Sequence, residues 1–138
     1  MDRVEEVKAL AKDNSVWRVT TSTAKIIVSQ LDEDDHPIVV LPMRDVWMSG
    51  VRFRGMKPKV CVSRKRLVVV SHPGLLSRAV WETIDKSLIA SVSAYSDRTF
   101  DIGLSDGREI KVRGMIGQQR VDVMTERLYS EISSYLNH

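Results

Sequence analysis

The chain has 138 residues, of which 43% are hydrophobic, and a formal net charge of +3. That length and apolar share fit one ordinary core, and no apolar run approaches the ~20 residues that a membrane-spanning helix needs. A single cysteine excludes an intramolecular disulfide and any all-cysteine metal site.

The first stretch, residues 2–12, places Val4, Val7, Leu10 and Ala11 on one side, which predicts a short helix. It carries Asp2, Glu5 and Glu6 and lacks the basic start and apolar centre of a signal peptide, so a cytoplasmic location is expected. Asp13-Asn14-Ser15 is turn-forming, and Ser15 to Thr20 alternates like a short extended piece. Ser22 is placed to cap a helix with Ile26, Ile27 and Leu31 on its apolar side. The β-branched residues there leave a strand as the alternative. Residues 1–31 are expected to form an N-terminal extension whose apolar stripe needs a cover, either its own sheet or a second copy of the chain.

Asp32 to Asp35 is wholly acidic and reads as a solvated break. Ile38 to Met43 has strand composition, and Pro42 marks an edge or a bulge because it cannot donate to a ladder. Arg44 to Met48 extends that strand and Ser49-Gly50 is a turn signal. Lys59–Ser63 and Leu67–Ser71 form two strands joined by the basic tip Arg64-Lys65-Arg66. Cys61, within Val60-Cys61-Val62, is expected to be a buried, inert thiol. Further strands are expected at 79–84, 88–95, 99–104 and 109–113. Asp106-Gly107 is the clearest hairpin turn, because glycine there tolerates positive φ. Trp81 is expected in the core. In the last stretch, Val121, Met124, Leu128, Ile132 and Tyr135 recur every three or four residues, which gives a helix over 117–136 with one dry face. These five are expected to fill the core of the strands before them.

Val60 to Val70 is similar to the strand, Thr-x-x-Arg-Leu, strand hairpin of bacterial pleckstrin-homology-like and GRAM-like domains, with Ser63 where Thr is usual. Trp81 to Val92 resembles that family's next pair of strands, and the closing helix follows in order. The resemblance covers about 100 residues and implies an α+β, mainly β fold: a PH-like bent antiparallel barrel of six to seven strands, in residues 32–138, capped by the C-terminal amphipathic helix. It also implies a binding or assembly module rather than a catalyst.

The charge is unevenly placed. Arg52, Arg54, Lys57, Lys59, Arg64, Lys65 and Arg66 fall within residues 52–66 with no acid among them. Arg44-x7-Arg52-Phe53-Arg54 resembles the basic arrangement by which many PH domains hold phosphoinositide headgroups. Guanidinium groups at alternate strand positions share a face and can each take a phosphate bidentately. The plainer reading of such a run is a solvated face that protects a sheet edge. Nucleic acid is disfavoured, since only Phe53 stands among the cations to stack a base. Trp47, between Met43 and Met48, is either core or part of an interface.

Enzyme readings are weak. His36, His72 and His138 are scattered, no Ser-His-acid or glycine-rich phosphate motif occurs, and neither a metal nor a cofactor is expected. The expected function is a non-catalytic module that binds a protein partner or itself. Peripheral binding of anionic lipid is the first alternative. Inhibition of a host protein by a phage-encoded chain is the second.

Overall fold

A computed structural model describes residues 2–14, 19–53, 57–71, 78–115 and 119–136, without the side chains of 13–14 and 119–124. The alternating piece expected at 15–20, Trp17, Arg54, His72, His138 and the side chains of Val121 and Met124 therefore lie wholly or partly outside the described residues.

The organising element is a long strand, β1 (Pro37–Met48). Its side chains alternate between two environments. Val39, Leu41 and Met43 enter one core, while Val40 enters another. The inward phase then jumps from Met43 to Val46, because a register shift falls between Met43 and Asp45. One extra residue at this bulge turns Asp45 and Trp47 to the outside.

The same bend changes β1's partner. Pro37 to Pro42 pair with β3 (Lys59–Ser63), whereas Met43 to Met48 pair with β8 (Glu109–Gly114). Pro42, which lacks an N–H, sits where the strand passes from one neighbour to the other, in line with its expected place at an edge or bulge. Beyond β3 lie β4 (Arg66–Ser71) and β5 (Val80–Asp85); beyond β8 lie β7 (Thr99–Leu104) and β6 (Ile89–Val92). All pairs are antiparallel. The two-residue β2 (Val51–Arg52) folds back on β1 through Ser49-Gly50, both at positive φ. A short 3-10 turn, Lys86–Leu88, joins the two edge strands where a plain break is expected from sequence.

The curled sheet encloses the first core. Leu67, Val69, Ile84, Phe100, Ile102, Ile110 and Val112 line it, and α3 (Gln119–Leu136) closes it with Leu128 and Ile132. Tyr129 packs edge-on against Phe100 at 5.3 Å between ring centroids. The dry stripe expected on this helix ends one turn early. Tyr135 is 36% exposed, and its ring lies 5.9 Å from the Lys86 ammonium.

The second core lies outside the first half of the sheet. Val40, Cys61, Val68 and Val70 point outward there and are covered by α1 (Arg3–Asn14) and α2 (Thr21–Ser29), through Val7, Ala11, Ala24 and Ile27, with Leu31 just past the end of α2. The apolar stripe of the N-terminal stretch thus has its own sheet as cover. Residues 21–29 are helical despite their β-branched members, because that cover needs apolar side chains at three- and four-residue spacing. Their cap is Thr20 rather than Ser22: Thr20 is extended and its Oγ1 accepts from the Thr23 N–H at 3.2 Å.

Trp81 is not in the core; it is 46% exposed. Alternation along β5 sends Ile84 inward, and Trp81, opposite the outward-facing Val70, lands on the outer side.

Candidate functional site

The basic stretch does not converge on one point. At the β3–β4 tip, Lys65 donates to both carboxylate oxygens of Asp34 at 3.0 Å. Arg66 donates to Asp32 at 3.1 Å, to Asp85 at 3.0 Å and to the Gln30 carbonyl. The Lys65 ammonium, through its hydrogen bond and charge, holds the Asp34 carboxyl below the usual carboxylate range.

The acidic run is a solvated break at Asp32, Glu33 and Asp34, as expected, but it also lies against the hairpin tip, and its last residue turns inward. Asp35 is fully buried and accepts from the Ser63 hydroxyl at 2.7 Å, while Arg3 of α1 donates to the Asp32 and Asp35 carbonyls. Opposite charges thirty residues apart meet here because the hairpin tip and the turn before β1 lie at the same end of the sheet. Of the tip residues, Arg64 is exposed and its ion-pairing neighbours Lys65 and Arg66 are engaged with acids.

The remaining cations separate into two groups. Lys59 is half-buried and donates to the Lys57 carbonyl at 2.8 Å. Burial pushes its ammonium pKa down, and the neighbouring charge of Lys57 adds to this. Arg44 and Arg52 share one carboxylate: the Arg52 Nε lies 3.0 Å and the Arg44 Nε 3.8 Å from Asp45. Phe53 is partly buried against the barrel core and is not presented for stacking.

Asp45 and Trp47 lead to a surface that the basic run alone does not disclose. The first half of the sheet has helices on its outer face. The second half has none among the described residues, and its outer face forms an open groove of about 810 Å³. Trp47 stands on one side of it, with Lys111 opposite it in the ladder and the Arg113 guanidinium 5.3 Å from its ring. Ser91, Ser93 and Asp101 form the other side. Gly103 lies between, and a Cβ there would come within 2.4 Å of the Ser91 hydroxyl, so a side chain would disturb the floor.

Trp47, which the sequence left as either core or interface, is half-buried at the wall of the groove. Lys111, Arg113 and Asp101 were not singled out from sequence. Their signal is the strict alternation of Glu109-Ile110-Lys111-Val112-Arg113, which reads equally well as any solvated strand face.

No family model matches this sequence, and no curated protein does. Among solved structures, the chain is similar to the Vps36 N-terminal PH domain, with 9% identity, 72% of this chain and 86% of that one covered, and a TM-score of 0.51. It also aligns with a pleckstrin homology domain from Shewanella amazonensis SB2B at 13% identity, covering 85% and 97% of the two chains with a TM-score of 0.46. The fold is pleckstrin-homology-like. Its body here is the curled antiparallel sheet closed by α3. The helices α1 and α2 cover the outside of its first half, and the groove lies on the outside of its second.

Proposed function

We propose that this PH-like chain is a non-catalytic interaction module that binds a protein partner. The observation that carries the reading is the unequal treatment of the two outer faces. One is sealed by the chain's own helices, and the other is left as a groove with a half-buried tryptophan and flanking cations. A half-buried aromatic with neighbouring arginine is the composition that protein interfaces favour. The lipid alternative draws less support, because Lys65 and Arg66 are paired with acids and Asp45 stands between Arg44 and Arg52. A phosphate brought there competes with carboxylates already in place. Assembly of the chain with itself through its N-terminal stripe also draws less support, since that stripe is buried on the chain's own sheet.

Capture of the tagged full chain after in-cell crosslinking, followed by mass spectrometry, tests the reading. The expected result is a stoichiometric protein adduct that weakens in Trp47→Ala. The absence of any protein adduct, together with flotation on vesicles containing phosphatidylserine, overturns it in favour of lipid.

A further inference from the structure

The two ends of the sheet are finished differently. At one end β6 is four residues long, its register shifts between Ile89 and Ser91, and α3 packs against it. At the other end β5 runs for six residues in unbroken register with β4, and it contains no proline, glycine or lysine. Bulges, short length, proline and lysine are the devices that keep an edge strand from pairing with another chain. The two acids of β5 do not replace them, since Arg108 stands 3.6 Å from Glu82 and Arg66 stands 3.0 Å from Asp85. Among the described residues β4 is the one strand paired with β5, and no helix packs along its far side.

The ladder fixes which main-chain groups are left over. The Lys86 N–H donates to the Lys65 carbonyl at 2.8 Å, so the adjacent pair Arg66 and Asp85 exchanges no hydrogen bonds. By alternation the pairs Val68–Thr83 and Val70–Trp81 exchange none either. The N–H and C=O groups of Trp81 and Thr83 therefore point away from β4, and neither residue makes a main-chain hydrogen bond among the described residues. The Trp81 side chain is 46% exposed at this same edge.

We infer that β5 pairs antiparallel with β5 of a second copy of this chain, about a two-fold axis at Val80. The occupant follows from what residues 78–82 ask of a neighbour. A strand laid here must bring an acid opposite Arg78, a large side chain opposite Ala79 and an apolar one opposite Val80. It must also bring a small side chain opposite Trp81 and a cation opposite Glu82. The same residues of a second copy, running from 82 back to 78, supply Glu, Trp, Val, Ala and Arg in that order. Arg78 is exposed and the Glu82 side chain is 44% exposed, so both are open to a further partner. Moving the axis to Trp81 sets Glu82 against Val80, and moving it to Glu82 sets two carboxylates against each other. The interface is isologous and closes at two copies. It leaves the groove free, because no residue of β5 lines it.

The test is the mass of the full chain by sedimentation velocity, from micromolar to near-millimolar concentration. The expected result is a reversible dimer. Arg78→Glu and Glu82→Arg each set like charges opposite one another twice, and each is expected to raise the dimer Kd about tenfold or more. An equal mixture of the two variants is expected to recover the dimer, since every contact between positions 78 and 82 is then of opposite sign. Val80→Cys probes the axis directly. In this register residue 80 faces its own counterpart in a pair without mutual hydrogen bonds, at about 4.5 Å between Cα atoms, so mild oxidation links the two copies. The natural Cys61 is buried and does not compete. Thr83→Cys, about 20 Å from its counterpart, is expected to stay unlinked. A single-chain mass at near-millimolar concentration, a dimer indifferent to both charge variants, or no recovery on mixing overturns the inference. So does a link at Thr83→Cys in place of Val80→Cys. If a charge variant loses its fold by circular dichroism, the two cysteine variants decide: a link at position 80 alone supports the pairing, and any other pattern overturns it.

Discussion

The Ser63 hydroxyl donates to the Asp35 carboxylate across 2.7 Å, with both residues fully buried. The same Ser63 oxygen accepts from the Arg66 N–H at 2.9 Å, so one side chain closes the β3–β4 turn and anchors the acidic run before β1. Beside the Lys65–Asp34 and Arg66–Asp32 pairs, this one oxygen atom is a buried link between two segments that look unrelated in sequence. The other carboxylate oxygen of Asp35 has no hydrogen-bond partner among the described residues, which makes the bond from Ser63 more consequential.

Replacing Ser63 with Ala leaves a buried carboxylate with neither oxygen hydrogen-bonded by a side chain and frees the Arg66 N–H. The expected cost is about 1–3 kcal/mol, the range for an unsatisfied buried polar group. Urea unfolding measures it. Ser63→Thr keeps the hydroxyl and is expected to lose less than half as much; equal losses in the two variants would show that the hydroxyl is not the cause.

Arg66 and Lys65 are adjacent, and their contributions differ. Arg66 is a quarter exposed and ties the end of α2, the acidic run and β5 together through Gln30, Asp32 and Asp85. Lys65 meets Asp34 in open solvent. Arg66→Met is expected to destabilise by about 1–3 kcal/mol, since it removes charge-assisted bonds and leaves the Gln30 carbonyl unpaired. Lys65→Met is expected to change stability by less than about 1 kcal/mol, as exposed pairs do. Thermal unfolding of the two variants side by side checks the ordering, and a Lys65 effect as large as that of Arg66 would refute it.

Gly114 sets how closely α3 approaches the sheet. A Cβ at that position would lie 2.5 Å from Thr125 Oγ1 and 2.7 Å from its Cγ2. Gly114→Ala should therefore push the helix outward at a cost of about 1–3 kcal/mol, the usual range for overpacking. Thr125→Ala removes two of the three clashing atoms, so the double variant is expected to recover part of the loss. A double-mutant cycle by chemical denaturation reads the coupling. Additive losses would mean that the two residues do not meet.

What could be read from sequence follows from which forces are local. The strands at 59–63, 66–71, 99–104 and 109–114 follow from period-two alternation and from Asp106-Gly107, whose glycine does adopt φ +92°. The helix stripe at Leu128 and Ile132 follows from spacing in the same way. Trp81 was misplaced because alternation gives two faces without saying which one is covered. The outer faces are decided by α1 and α2, whose docking depends on Val40, Cys61, Val68 and Val70 being apolar on the side that most strands keep polar. The burial of Asp35 and the pairing of the exposed Asp32 and Asp34 with the hairpin tip went unread for a similar reason. Their partners lie about thirty residues away, and charge alone does not distinguish a solvated turn from one folded onto a basic hairpin. The groove residues Lys111 and Arg113 had no signal beyond alternation, since their place on an open face depends on no helix covering them among the described residues.

Cys61 gives a prediction that depends on pH. The thiol is fully buried between the sheet and the N-terminal helices, and burial, reinforced by the charge of Asp35, pushes its pKa up to about 12. In the unfolded chain the thiol ionises near its ordinary value of 9.0. Between these two values the unfolded state has lost a proton that the folded state keeps, so the unfolded state binds fewer protons and stability falls as pH rises. The contribution is fully present below pH 9 and is lost on the way to 12, with a limiting slope of about 1.4 kcal/mol per pH unit. Buried Lys86 acts in the opposite sense, because burial holds its ammonium pKa below 10.5 despite the nearby Glu131 and Asp35 carboxylates. The comparison must therefore be made against Cys61→Ala, which keeps Lys86. The expected result is that the stability advantage of the natural chain over Cys61→Ala is constant from pH 6 to 8 and shrinks by about 1–2 kcal/mol by pH 10.5. Urea titrations at each pH measure it. A difference that stays flat through pH 10.5 would mean that the thiol ionises equally easily in the folded chain, and that α1 and α2 do not seal it.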